Sequence, residues 1–202
     1  MIGRLLHRLA IVLPVLAAVV LMPHEAAAVV CPGGRTMHIV AHQDDDIVFF
    51  GTDVIADLNA GRCVTTVCLT AGDAGGVARY WLSRERGAVE AHARILGVDA
   101  ATTDASITIG AHGLALKTLT AKPRVSMVFM RLPDGNIPGG GFPSNGDTSL
   151  QKLWYLEIPS LPTVTDANAD GLANLTSYDT ADLTDTLRRL ITRFAPDSIR
   201  RL

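Results

Sequence analysis

The stretch VAHQDDDIVFF, residues 40–50, sets one histidine beside three consecutive aspartates between apolar flanks. Adjacent carboxylates repel, and setting them at the end of a buried strand costs free energy unless something offsets their charge. A divalent cation would do so, because hard oxygen ligands and an imidazole suit the same ion. Neighbouring residues point in different directions, so the four cannot all coordinate. His42 and Asp45, three apart across a strand-to-helix turn, can converge on one ion. Asp44 would then stand beside it, free to take a proton from an attacking water. That is metal-assisted hydrolysis with a carboxylate as general base. The same spacing fits a second reading about equally well. Asp44, Asp45 and Asp46 stand at a helix N-terminus, where carboxylates are stabilised with no metal at all.

The elements that must position these residues are legible around them. TMHIVAH (36–42) reads as a short strand. DIVFFGTDVIADLNAG follows with apolar residues at Ile47, Phe50, Val54, Ile55 and Leu58, a helical spacing closed by Gly61. CVTTVCLTAGD is the next strand, and YWLSRERGAVEAHARILG is an amphipathic helix ended by Gly97. ASITIG and RVSMVFMRL give two further strands, and GAHGLALK between them reads as a loop. A β-α-β-α-β-β order with buried, non-alternating strands implies an α/β fold with a mostly parallel sheet and helices on both faces. The strand before His42 would end at the carboxyl edge of that sheet, where open α/β folds bind ligands. Residues 132–178 are rich in Gly, Pro, Asn and Asp and read as loops around one helical piece, SLQKLWYLE. A helix over TADLTDTLRRLITRF follows, capped by Thr180 or Asp182. DSIRRL begins one more strand, leaving the sheet incomplete at the C-terminus.

Other candidates are weaker. Asp73, at the end of the second strand, lies near the expected edge and could bind metal or substrate or fix the turn. Arg84 and Glu85 could meet a sugar hydroxyl or phosphate, or form an exposed pair. Asp134 sits in a Pro-Asp-Gly turn and could line the rim of a site. DANADG (166–171) matches the start of a calcium loop, but Ser177 stands where the bidentate glutamate is needed, so a turn is the better reading. Trp154 and Tyr155 could stack on a sugar ring or pack in the core. His38 is some 13 Å from His42 at strand rise, His92 reads as surface or helix packing, and His112 falls in the loop.

Residues 1–28 have a basic start, an apolar run from Leu9 to Met22 and small residues at Ala26–Ala28. That is the layout of a secretory signal peptide, too short to span a bilayer comfortably. The expected domain is 29–202, secreted, with no stable membrane insertion. The whole chain has 18 Lys and Arg against 20 Asp and Glu; loss of Arg4, Arg8 and Glu25 leaves 16 against 19, a net charge of −3. With no basic tract, nucleic acid is a poor partner. Of the three cysteines, Cys63 and Cys68 would face opposite sides of one strand. Cys31 and Cys63 both precede strands and are the expected disulfide; Cys68 reads as a core residue.

VAHQDDD resembles the AHPDDE signature of the PIG-L (LmbE-like) deacetylase family. CVTTVCLTAGDAGG, YWLSRERGAVEAHARILGV, RLPDG and DLTDTLRRLITRFAPDSIR resemble later landmarks in the same order, so the likeness covers about residues 35–202, and is closest to secreted actinobacterial members. The resemblance implies a Rossmann-like fold and a zinc-dependent hydrolase that removes acetyl from N-acetylglucosamine-type amides, acting on a small amino sugar or glycoconjugate. Zinc, or another divalent cation, would be held by His42 and Asp45, with Asp44 as general base. Gln43 replaces proline and Asp46 replaces glutamate. The family's distal histidine segment, which supplies a third ligand and an oxyanion-stabilising histidine, would begin where this chain ends. The alternative expectation is therefore a truncated or catalytically inactive domain that keeps the fold and at most binds sugars.

Overall fold

The computed structural model describes residues 29–201; the expected signal peptide lies outside them. A six-stranded sheet has the order β3-β4-β5-β2-β1-β8. Its members are β1 (Arg35–Val40), β2 (Cys63–Thr70), β3 (Thr102–Ile109), β4 (His112–Leu119), β5 (Val125–Leu132) and β8 (Ser198–Arg201). β8, β1, β2 and β5 run parallel, while β4 is antiparallel to both its neighbours. Helices α1 (Asp45–Asn59) and α2 (Ala78–Ile95) cover one face, where Val54, Leu58, Ala88 and Val89 pack on Val64, Cys68 and Phe129. Helix α4 (Thr180–Phe194), with the short α3 (Leu150–Trp154) and the two-stranded β6 (Leu161–Pro162) and β7 (Ser177–Tyr178), covers the other. The mostly parallel α/β sheet covered on both faces is thus present.

Two local readings are corrected. The segment around His112 is strand β4, paired along its length with β3 through Ile109–His112. Its first four residues are all buried, so no alternation marked it, and Gly110 and Gly113 suggested a loop. Gly110, at φ +60°, supplies the tight turn instead. Ile55, counted on the apolar face of α1, is 44% exposed, because the helix kinks at Phe50 and its later turns present Val54 and Leu58 inward. The Cys31–Cys63 disulfide is formed, and Cys68 is buried and free.

Candidate active site

Parallel strands deliver their carboxyl ends to one edge, and three of them bring the site residues there: His42 just beyond β1, Asp73 beyond β2 and Asp134 beyond β5. The three adjacent aspartates diverge, which resolves their repulsion. Asp44, the α1 N-cap position, makes no capping bond. Its side chain is 65% exposed and accepts a 2.8 Å hydrogen bond from Arg84 Nη2 at Oδ1. Asp45 folds back, and its Oδ2 accepts the His42 backbone N–H at 2.8 Å.

Asp46 points down into the protein, where it meets two fully buried histidines. Oδ2 lies 3.2 Å from His92 Nε2 and 3.8 Å from His38 Nδ1, and accepts from the Thr66 hydroxyl at 2.8 Å. Burial pushes the Asp46 carboxyl up, but the bonds to His38, His92 and Thr66 outweigh it and hold the group well below the usual carboxylate range. His92 is therefore not a surface residue of α2. It lies on the inward stripe with Trp81, Glu85, Ala88 and Val89, and its Nδ1 donates to the Ala88 carbonyl at 3.0 Å.

His42 is the hub of the exposed part. Nδ1 is 3.5 Å from Asp45 Oδ2, and Nε2 is 3.7 Å from Asp134 Oδ2. The Asp134 carboxylate raises the imidazole above its ordinary value; burial opposes this and Asp45 adds to it. His42 in turn holds the Asp134 carboxyl below its usual range, against desolvation. The structure thus brings His42, Asp45 and Asp134 together, with Asp44 and Arg84 alongside.

Whether these residues fit a divalent ion can be judged from donor spacing. Two ligands on a tetrahedral ion with bonds of ~2.0–2.1 Å lie roughly 3.3 Å apart. The 3.5 Å between His42 Nδ1 and Asp45 Oδ2 matches that edge, and imidazole with carboxylate is a fitting donor pair for zinc. Asp134 faces the opposite ring nitrogen. Among the described residues, no three His, Cys, Asp or Glu side chains gather as one metal-holding group.

Asp73 is 1% exposed. Its Oδ1 accepts the Asp134 N–H at 2.9 Å, and its Oδ2 accepts from Gly75 N and Asn145 Nδ2. Both oxygens are engaged within the chain, fixing the loops that present Asp134. Besides Asp44, Arg84 donates to the Gly72 carbonyl at 2.7 Å. A groove of about 300 Å³ opens beside this pair, walled by Gln43, Ile47, Val48, Gly87, Ala88 and Ala91. His112 stacks on Tyr178 at 4.0 Å, far along the sheet from β1. Asp166 accepts from Ala78 N and Trp81 Nε1, and Asp170 pairs with Arg131. DANADG is accordingly a structural turn. Trp154 and Tyr155 are 63% and 66% exposed, outside the core.

Sequence reasoning missed Arg131 and the buried partner role of Glu85. Arg131 is fully buried in β5 between Glu85 and Asp170. RLPDG in a strand-to-loop junction gave no charge pattern to betray it. Compared with known families, the chain matches the PIG-L family, GlcNAc-PI de-N-acetylase, over residues 37–200. No curated protein and no solved structure matches it. The match spans well over half of the chain, and the chain belongs to that family, a family of hydrolases of the de-N-acetylase type.

Proposed function

From its membership of the PIG-L family we propose that this chain is a metal-dependent hydrolase that removes the acetyl group from an N-acetylglucosamine-type amide. One observation carries the reading: His42, Asp45 and Asp44 stand together at the carboxyl edge of the sheet, two as a donor pair 3.5 Å apart and the third facing solvent beside them. His42 and Asp45 would hold the ion, zinc by the donor chemistry, with Asp134 the nearest further carboxylate. When bound, the ion supplies Lewis acidity that polarises the acetamide carbonyl and makes a water easier to deprotonate.

The chain's own residues do the rest. Arg84 occupies Oδ1 of Asp44, which orients the carboxylate and leaves Oδ2 to take the proton of the attacking water. The same carboxyl can return that proton to the leaving amine, as acid–base catalysis requires. The Asp45 side chain, tied to the His42 N–H, fixes the turn that carries both donors. Asp73 holds Asp134 at its backbone. The groove beside Asp44 and Arg84 gives the substrate a wall with two charged groups at its rim. The Cys31–Cys63 disulfide supports a secreted protein, since such bonds persist in oxidising compartments.

The test is release of acetate from N-acetylglucosamine-terminated glycosides by the zinc-loaded chain. Activity that a chelator abolishes and that falls about 10²–10⁴-fold in Asp44→Asn supports the reading. A folded, zinc-loaded chain with no acetate release from any such substrate would favour the inactive, sugar-binding alternative.

A further inference from the structure

β5 carries one residue more than its partner. Cys68 pairs with Phe129, but Thr70 pairs with Leu132, so two steps on β2 face three on β5. Arg131 sits in this bulge with φ +58°, a left-handed conformation that a glycine adopts freely and a branched or long side chain does not. Its carbonyl turns out of the sheet to accept from Val164 N at 3.0 Å. After it the ladder resumes, Ala71 N donating to Leu132 O at 2.7 Å. Two residues further on, Asp134 faces His42.

A residue with an unfavourable backbone persists where its surroundings over-determine it. Here all five N–H donors of the guanidinium are engaged. Nε and Nη2 form a fork on Glu85 at 2.8 and 2.9 Å, and Nη1 and Nη2 a second fork on Asp170 at 2.8 and 2.6 Å. Nη1 also donates to Ala167 O at 2.6 Å, and the guanidinium lies 4.6 Å above the Trp81 ring. Glu85 belongs to α2 and Asp170 to the loop after β6, so one side chain ties three parts of the fold at the bulge. Side chains alternate along a strand, so losing the extra residue would send every later side chain to the other face.

We propose that Arg131 is a positioning residue of the active site: clamped between Glu85 and Asp170, it holds the left-handed β5 bulge whose offset aims Asp134 at His42. Arginine's planar fork is what the site uses; lysine, a point charge, cannot span two carboxylates in this way. The proposal rests on the proposed function for its consequence in catalysis, but the geometry it predicts exists in the metal-free chain.

The test compares Arg131→Lys, Asp134→Asn and the double variant, with Leu190→Ala as a destabilised control in the α4 core. The first readout is the imidazole nitrogen chemical shifts of His42 in the metal-free, folded chain at one fixed pH. Asp134→Asn shifts them; Arg131→Lys produces the same direction of shift, the double variant adds nothing to Asp134→Asn, and the control leaves them at the wild-type position. The second readout is zinc affinity, expected to fall about tenfold or more in Arg131→Lys and no further in the double. If Arg131→Lys does not fold, Asp170→Asn carries the same comparison from the partly exposed side of the clamp. Wild-type His42 shifts in a folded Arg131→Lys or Asp170→Asn chain overturn the proposal. Absence of zinc binding by the wild type would instead count against the metal reading and leave the shift comparison decisive for Arg131.

Discussion

Three carboxylates in a row are tolerable because the strand-to-helix turn sends each to a different environment. The helix-N-terminus reading holds in placement, with Asp44 at the N-cap and Asp45 and Asp46 in the first turn of α1, but Asp44 makes no cap bond and its side chain goes to Arg84. The third aspartate serves a buried role that no spacing rule could reveal, because His38 on β1 and His92 on α2 are 54 residues apart in the chain and come together only at Asp46, at the start of α1. Asp46→Ala leaves two buried imidazoles and the Thr66 hydroxyl without their carboxylate, and leaving buried polar groups without a partner costs about 1–3 kcal/mol. Urea unfolding of the metal-free variant measures this. Arg84→Met frees the carboxylate of Asp44 to turn away. We expect kcat for acetate release to fall by about an order of magnitude with zinc affinity unchanged, the pattern of a lost orienting contact.

Elements were legible where period and punctuation agreed. The α1 and α2 helices end near Gly61 and Gly97 as their sequences indicate, and α4 begins at a cap, although the capping side chain is Asp179, accepting from Asp182 N. β4 was illegible because both its faces are covered at the start, which removes the alternation that marks a half-buried strand. Glu85 was misplaced, and His92 left open between surface and helix packing, for a related reason: an inward helical stripe was expected to be apolar, and this one carries two polar residues that find buried partners. The disulfide staples the segment before β1 to the first residue of β2 across 32 residues. A loop of that length gives roughly 3.5 kcal/mol in the chain-entropy account. Reduction should lower the thermal midpoint of the chain by several degrees in a melting experiment, and a midpoint unmoved by reductant would show that the tether adds nothing.

At the scale of the molecule, the sheet gathers His42, Asp73 and Asp134 at one edge because β1, β2 and β5 are parallel neighbours; the β-α-β order in the sequence accounts for His42 and Asp73, whereas β5 lies parallel beside β2 only because β4, read as a loop, turns the chain once more. The aim of Asp134 does not follow from it, since it depends on a bulge and a buried arginine. Charge burial also sets how the fold responds to acid. Asp46 and Asp170 both keep carboxyls below their usual values, in each case because bonded partners outweigh the desolvation that opposes them. Such groups stabilise the fold above the unfolded value of about 3.9, and that stability is lost as pH falls through their folded values. Glu85, pushed up by burial against the pull of Arg131, works the other way. Asp134, Asp185 and Asp197 are lowered as well, so the lowered carboxyls outnumber the one raised, and urea midpoints are expected to decline below about pH 4. The most direct test of the account is calorimetric titration of the purified chain with zinc, alongside His42→Ala and Asp45→Ala. One ion per chain, bound by the wild type and lost in both variants, is the predicted result. Binding that survives in both variants, or none in the folded wild type, would contradict a metal site at His42 and Asp45.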